Sequence, residues 1–182
     1  MQKIKSKPGL LNFFQGCPDA VRWYFTHLPR LVEDFPLDVA LAYVFTQVEA
    51  AQNMALYCGV TKLHGADKDL ARRAITAHHL TRGEFRSKFQ VIYDKPIPDV
   101  TLRLAIVAEA VRDLVMHGKD ASDDDKRNAI AHALEYAKEL NDLCAALGGP
   151  RPFGNLRGFK GAGKPLDKST SRWVLKGRGF AT

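Results

Sequence analysis

Three residues near position 115 have side chains that together suit the cleavage of a phosphodiester bond. They are Arg112, Asp113 and His117, within the stretch RDLVMHG. Histidine accepts or donates a proton near neutral pH, and the permanently charged guanidinium of arginine matches the geometry of phosphate. Metal-free cleavage of RNA needs proton transfer at the 2′-hydroxyl or the leaving oxygen, and a cation for the charge of the phosphorane. The residue types predict that His117 transfers protons and that Arg112 stabilises phosphate charge.

Asp113 is the third member of this candidate site. It precedes His117 by four residues, so on a helix both lie on one face. There the carboxylate can orient the imidazole or favour its protonated form. The same residues also fit a structural interpretation. Histidine is favoured near the C-terminus of a helix, Gly118 is suited to end one, and an Asp and a His at this spacing stabilise helices generally. A catalytic site and a helix-end ion pair are therefore both open.

The helix that carries these residues is predicted at 99–117. Its apolar residues recur at steps of four and three and predict one stripe that faces the core of a bundle: Val100, Leu104, Val107, Val111 and Leu114. The other side mixes apolar and charged residues: Leu102, Ala105, Ile106, Glu109, Arg112, Asp113 and Met116. That mixture predicts a second contact surface, a dimer face, beside Arg112 and His117. Scattered apolar residues on an ordinary surface are the alternative.

The remainder of the chain also has the residue spacing of helices. A short helix is predicted at 20–27, a long one at 37–59, a third at about 67–93 with Gly83 as its weak point, and a last one that begins with the capping box at 122–125 and ends at Gly148. Glu49, Gln52 and Asn53 interrupt the apolar pattern of the long helix; we interpret them as its exposed side, and lining of the site is the alternative. No strand is indicated.

This pattern predicts an all-α fold, an up-and-down bundle of four to five helices with a basic, glycine-rich C-terminal tail. Three segments are expected. A basic N-terminal segment covers residues 1–18, the helical bundle covers 19–147, and the basic tail, which contains aromatic residues, covers 148–182.

An Arg, a polar residue, three further residues and a His occur late in the bundle and precede a short polar loop and a final long helix. In this respect residues 19–147 resemble the HEPN family. The resemblance implies a helical bundle, usually a homodimer, in which the Arg-x4-His motifs of two subunits form a metal-independent endoribonuclease site. By motif, Arg112 and His117 correspond to the catalytic pair and Asp113 to the polar helper.

The resemblance also implies two classes of function. Many members look like toxins or defence nucleases, which suggests an antitoxin or another regulatory protein as a partner. Other members have lost catalysis and bind nucleic acid or nucleotides, so a non-catalytic module that binds nucleic acid or protein is the alternative. Members that pair with a small nucleotidyltransferase typically have Tyr two residues after the His, where this chain has Lys119. The sequence therefore argues against the subclass controlled by adenylylation.

The C-terminal tail contains the excess basic charge of the chain. From Gly149 onward it has eight basic residues and one acidic residue, Asp167. Basic tails attract polyanions, and unpaired bases stack on aromatic rings such as those of Phe153, Phe159, Trp173 and Phe180. RNA is therefore the predicted ligand, and the predicted RNA-binding residues are Arg151, Arg157, Lys160, Lys164, Arg172, Lys176 and Arg178. A tail docked by its aromatic residues, with residues 173–175 as an anchor, and a disordered segment are the alternatives.

Several other functions are excluded or not expected. Residues 158–164 have P-loop-like spacing, but Pro165 replaces the magnesium-binding Ser or Thr and no strand precedes them, which excludes nucleotide hydrolysis there. The three cysteines, Cys17, Cys58 and Cys144, have neither the spacing of a disulfide framework nor that of a zinc site, and we interpret them as core residues. No segment has the pattern of a secretion signal or a membrane span. We expect a cytoplasmic protein without a metal or cofactor.

Overall fold

The computed structural model describes residues 3–77 and 80–182, except the side chain of Arg82. Within these residues the chain forms α-helices and no strand, so the all-α prediction is confirmed. The helices are α1 (Lys7–Gln15), α2 (Asp19–Tyr24), α3 (Leu28–Asp34), α4 (Leu37–Lys62), α5 (Lys68–Thr76), α6 (Arg82–Tyr93), α7 (Asp99–Met116), α8 (Asp123–Ala146) and α9 (Lys168–Gly177). None of the helices in the described part is both long and apolar enough to cross a membrane.

The chain divides into two compact units. The first unit comprises Met1–Glu49, Pro98–Leu140 and Phe153–Asn155, and the second comprises Ala50–Ile97, Asn141–Pro152 and Leu156–Thr182. By sequence the first unit has 11 basic and 14 acidic residues, a formal net charge of −3. The second has 16 basic and 6 acidic residues, a formal net charge of +10. Together the two values give the +7 of the whole chain.

Aromatic rings form the centre of the first unit. Phe25 stacks on Phe153 with their ring centroids 5.9 Å apart, and Tyr136 meets Phe153 edge-on at 6.2 Å. All three side chains are fully buried. Phe153 comes from the predicted tail, so this part of the tail is docked, as one of the alternatives proposed.

The N-terminal segment contributes a helix that the sequence pattern did not indicate. The hydroxyl of Ser6 accepts a hydrogen bond from the N–H of Gly9 at 3.1 Å and so caps α1. Leu10 and Phe14 of α1 are buried, and α1 contacts α3. Helix α1 therefore contributes to the core of the first unit.

The prediction of one helix at 67–93 is wrong. Helix α5 ends at Thr76, and α6 begins at Arg82 with its own capping box. The Thr81 hydroxyl accepts a hydrogen bond from the N–H of Glu84 at 3.3 Å, and the Glu84 carboxylate accepts one from the N–H of Thr81 at 2.8 Å. The first turn of a helix leaves backbone N–H groups without partners, and these two bonds satisfy two such groups. They therefore mark the start of a new helix. Residues 78 and 79, which the predicted helix included, lie outside the described residues.

The end of the tail is docked within the second unit. Helix α9 contacts α5, and the hydroxyl of Ser171 accepts a hydrogen bond from the N–H of Asp67 at 2.9 Å. Leu175 and Phe180 are buried, whereas Trp173 is 79% exposed. Within the predicted anchor at 173–175 it is therefore Leu175, and not the tryptophan, that holds the helix.

Candidate functional site

Arg112, Asp113 and His117 lie at the C-terminal end of α7. The helix ends in a Schellman motif, in which the N–H of Gly118 donates to the Val115 carbonyl at 3.0 Å and the N–H of Lys119 to the Leu114 carbonyl at 2.9 Å. Gly118 has a φ of +67°, a conformation that glycine adopts without a steric penalty. The prediction that Gly118 ends this helix is confirmed, and His117 is the capping residue.

The guanidinium of Arg112 contacts two carboxylates and an aromatic ring. Its Nη2 donates to Oε1 of Glu49 at 3.0 Å, and its Nη1 donates to Oδ1 of Asp113 at 3.2 Å. Its Cζ atom lies 5.9 Å from the centre of the Phe45 ring. The Arg112 side chain is 28% exposed, so water still reaches the group. Glu49 is exposed and lines this site as well, so both interpretations of Glu49 apply.

The imidazole of His117 is exposed. In the described part of the chain it has no hydrogen bond or ion pair, whereas the carboxylate of Asp113 binds Arg112. The structure therefore joins the side chains of Arg112 and Asp113, whereas His117 is bonded to Asp113 only through its backbone N–H, which donates to the Asp113 carbonyl at 3.1 Å. A helix-end ion pair between Asp113 and His117 is not formed.

Helix α7 turns a different side to the core than the sequence predicts. Its buried residues are Thr101, Ala105, Ala108 and Glu109. The predicted core stripe instead lies outward, with Val100, Val107 and Leu114 exposed by 68%, 50% and 41% and with Leu104 and Val111 half-buried. Residue spacing identifies an apolar stripe on a helix but not what covers that stripe. The small side chains of Thr101, Ala105 and Ala108 allow the opposite side of α7 to pack closely against the core. We call Val100, Leu104, Val107, Val111 and Leu114 the outer stripe of α7.

Two packed helices of the second unit carry a cluster of exposed basic residues. They are Lys68, Arg72 and Arg73 of α5 and Lys168, Arg172 and Lys176 of α9. Arg73 and Arg172 line one groove of about 320 Å³, which links the two helices into one surface. We call these six residues the α5–α9 basic surface. The sequence contains both basic groups, but only the packing of α9 on α5 joins them.

The predicted RNA-binding residues are mostly on the surface. Six are exposed: Arg151, Arg157, Lys160, Lys164, Arg172 and Lys176. Arg178 is half-buried because its Nη1 donates to the Val91 carbonyl at 2.7 Å and its Nη2 lies 3.3 Å from Nδ1 of His64. These contacts of Arg178 hold the C-terminal end within the second unit. Among the tail aromatics Phe153 and Phe180 are buried, Phe159 is half-buried and Trp173 is exposed, so two of the four rings are not accessible for stacking.

The glycine-rich stretch at 158–164 is a docked loop. The N–H of Ala162 donates to the Thr61 carbonyl at 2.9 Å, and the N–H of Leu166 donates to the Gly65 carbonyl at 2.8 Å. A P-loop leads from a strand directly into a helix, whereas here α9 begins only at Lys168 and no strand is present in the described residues. The loop instead presents Lys160 and Lys164 to solvent.

The three cysteines are buried and free. Burial raises the pKa of the Cys17 thiol to about 11 and the pKa values of Cys58 and Cys144 to about 12. Because the thiolate is the nucleophile, thiols with such pKa values are unreactive at neutral pH. Their assignment as core residues is therefore confirmed. Among the described residues no three His, Cys, Asp or Glu side chains are grouped to hold a metal ion.

Comparisons with protein-family models, curated proteins and solved structures found no match to this chain. The resemblance to the HEPN family therefore stays a prediction, as do the roles that it implies for Arg112, Asp113 and His117. An all-helical fold is compatible with the resemblance, but helical folds host many unrelated functions, so the fold does not test it.

Proposed function

We propose that this protein is a metal-independent endoribonuclease that binds RNA through its second unit and cleaves it with Arg112 and His117. The observation that carries the proposal is the formal net charge of +10 on the second unit, together with the six exposed residues of the α5–α9 basic surface. Lysine and arginine side chains bind phosphates and release condensed counterions, which drives association with any RNA sequence. Lys160 and Lys164 of the docked loop add to this charge.

The proposed reaction uses the two groups at the end of α7. The imidazole of His117 removes the proton of a 2′-hydroxyl, and the 2′-oxygen attacks the adjacent phosphorus. The 5′-oxygen leaves and takes a proton from water, which gives a 2′,3′-cyclic phosphate and a free 5′-hydroxyl. The imidazolium of His117 then returns its proton to the hydroxide that remains. Arg112 stabilises the additional negative charge on the phosphorane. A guanidinium has five N–H donors, of which Glu49 and Asp113 occupy two, so donors remain for a phosphate.

A second copy of the chain is the partner that we propose for the outer stripe of α7. Exposed apolar side chains of this size are unfavourable in water, and a two-fold axis covers the same stripe on both copies. Leu114 lies three residues before His117, so such a dimer buries surface next to the candidate catalytic groups. Sedimentation should show a dimer that Val107→Lys dissociates. Monomer alone at micromolar wild-type concentration would contradict this part of the proposal.

A non-catalytic RNA-binding module is the second candidate. The pairing of Arg112 with two carboxylates favours it, because those carboxylates compete with phosphate for the guanidinium. In many active sites a hydrogen-bonded group orients the general base, and none of the residues that the structure describes is bonded in this way to the His117 imidazole. In such a module the α5–α9 basic surface still binds RNA, and no phosphodiester bond is cleaved.

The test measures cleavage of a mixed pool of structured and single-stranded RNA in excess EDTA, with the new ends identified by sequencing. The proteins compared are the wild type, His117→Ala and the matched control His27→Ala, which removes another exposed histidine of the first unit. We expect the wild type and His27→Ala to produce the same 2′,3′-cyclic ends and His117→Ala to produce none while it still binds RNA. Binding without cleavage by all three proteins would identify the non-catalytic module, and absence of binding would contradict both candidates.

A further inference from the structure

A cleft of about 380 Å³ lies between α4 and α5 in the second unit. Asn53, Met54 and Tyr57 line it from α4, and Arg72, Ile75 and Thr76 line it from α5. Its volume is within the range of sites that bind small organic groups. The cleft is remote in sequence from Arg112 and His117, and the function proposed above does not use it.

The walls of the cleft suit a flat aromatic group. The Tyr57 ring is half-buried, and Ile75 is buried beneath the opening. The guanidinium carbon of Arg72 lies 5.9 Å from the centre of the Tyr57 ring. The centroid of the Phe159 ring lies 6.3 Å from the centre of the same Tyr57 ring. Tyrosine rings and arginine planes are among the groups on which proteins stack unpaired bases.

Two polar side chains at the cleft are suited to bind the edge of such a group. The amide of Asn53 and the hydroxyl of Thr76 have no hydrogen bond to any described residue. An amide has two donors and an acceptor, and a hydroxyl has one donor and accepts as well. A nucleobase presents alternating donors and acceptors along its edge, whereas a lipid chain or an apolar peptide side chain presents none.

The charge beside the cleft suits the phosphates of the same ligand. Arg72 lines the cleft, and the next residue, Arg73, lines the groove that it shares with Arg172. A strand whose base enters the cleft therefore has the guanidinium of Arg72 beside that base. Stacking, hydrogen bonding and phosphate binding are thus combined in one part of the second unit.

We propose that this cleft binds one unpaired base of single-stranded RNA, stacked on Tyr57, with its edge bonded to Asn53 and Thr76. The inference rests on the proposed function in that RNA is the ligand, but it requires no cleavage. It also assigns a substrate preference: the second unit binds single strands more tightly than duplexes, since a paired base does not enter the cleft.

The test compares the affinity of the full-length protein for oligouridylate with its affinity for an abasic strand of the same length. The abasic strand keeps the phosphates and lacks the bases, so it measures the electrostatic contribution alone. We expect the wild type to bind oligouridylate about tenfold more tightly, which corresponds to the stacking of about one base. A duplex of equal length places no base in the cleft, so its affinity should come from phosphate contacts alone.

Four variants locate the preference. Tyr57→Ala should abolish it and leave the affinity for the abasic strand unchanged, which also shows that the variant is folded. Tyr57→Phe keeps the ring and should retain the preference. Arg72→Gln should weaken binding of both strands, whereas Arg30→Gln, the loss of an exposed arginine of the first unit, should weaken neither. Photo-cross-linking of 5-iodouridine RNA should label the peptide that contains Tyr57.

The outcomes separate this inference from the proposed function. Equal affinities for oligouridylate and the abasic strand, or a preference that survives Tyr57→Ala, would overturn the base site while RNA binding stands. Loss of binding to both strands in the wild type would overturn RNA binding itself. Cross-links confined to peptides outside α4 and α5 would place the bases elsewhere and also overturn the inference.

Discussion

The two units of this protein differ in charge and in what they offer a ligand. The first unit has a formal net charge of −3 and contains Arg112 and His117, whose side chains suit charge stabilisation and proton transfer, respectively. The second has a formal net charge of +10, an exposed basic surface and an open aromatic cleft. The proposed RNA binding and the proposed cleavage thus depend on different residues. Substitutions should therefore remove one property and leave the other.

The cores of the two units both contain buried aromatic rings. The first is centred on stacked Phe25 and Phe153, whose stability comes from burial of large apolar rings. The second contains a buried phenol, Tyr93, whose hydroxyl donates to the Ala55 carbonyl at 2.9 Å beside Cys58 and Cys144. Burial raises the pKa of Tyr93 above its usual value. The stability of the second core therefore depends on the neutral form of the Tyr93 phenol.

The largest effect is expected for Phe153→Ala. Removal of this fully buried ring should lower the free energy of unfolding by about 3–5 kcal/mol, because the neighbouring rings of the first unit lose contacts and a cavity forms. Denaturant unfolding measures it. Trp173→Ala is the matched control, since that tail ring is exposed and its loss should cost little. Equal destabilisation by both variants would contradict the docking of Phe153.

The next effect concerns the α5–α9 basic surface. Reversal of three charges, Lys168→Glu with Arg172→Glu and Lys176→Glu, should weaken RNA binding roughly tenfold or more. It should also reduce the slope of log affinity against log salt by about 2, as expected when three phosphate contacts on a single strand are lost. Affinities measured across a salt series test this.

The matched control reverses three exposed basic residues of the first unit, Lys5→Glu with Arg103→Glu and Lys119→Glu. It changes the net charge of the chain by the same amount. We expect a much smaller loss of affinity, because the proposed RNA contacts lie in the second unit. A loss as large as that of the α9 variant would show that total charge, and not the basic surface, governs binding.

A third prediction compares the thiols of the two units. Burial raises the pKa of Cys17 to about 11 and those of Cys58 and Cys144 to about 12. In the folded protein a thiol reagent should label Cys17 faster than Cys58 and Cys144, since a lower pKa gives a larger fraction of thiolate. Mass spectrometry of labelled peptides gives the order, and simultaneous labelling of all three would instead indicate global unfolding.

The same pKa values determine how stability depends on pH. A thiol whose pKa in the folded state is raised contributes its full stability below its usual pKa of 9.0. That contribution is lost as the pH rises from about 9 towards 12. The free energy of unfolding should therefore fall in this window, and Cys58→Ala with Cys144→Ala should make the fall less steep.

The smallest effect is expected for Glu49→Gln. This change removes one of the carboxylates that bind Arg112, and because the pair is partly exposed it should alter phosphate binding only about two- to fivefold. We expect faster cleavage in EDTA, since the guanidinium becomes more accessible to phosphate. Glu33→Gln, on an exposed part of α3, should have no effect. Slower cleavage would show that Glu49 positions Arg112 instead of competing for it.

The sequence predicted the features of α7 that depend on neighbouring residues. Asp99 begins the helix and Gly118 ends it, because capping and left-handed backbone conformations are determined within a few residues. It did not predict that Val107 lies outside the core or that Arg112 pairs with Glu49, which is 63 residues away. Periodicity identifies faces of a helix, whereas contacts distant in sequence determine which face is covered.

By itself, the sequence determined the all-helical fold, the excess of basic residues and the helix end that presents Arg112, Asp113 and His117. These features follow from local spacing and from composition. Only the tertiary structure decided that Phe153 packs in the first unit while α9 packs on α5 in the second, which creates one basic surface from separate segments. The physical reason is that burial depends on how side chains distant in sequence fit together, and that fit is not encoded in any single stretch of the chain.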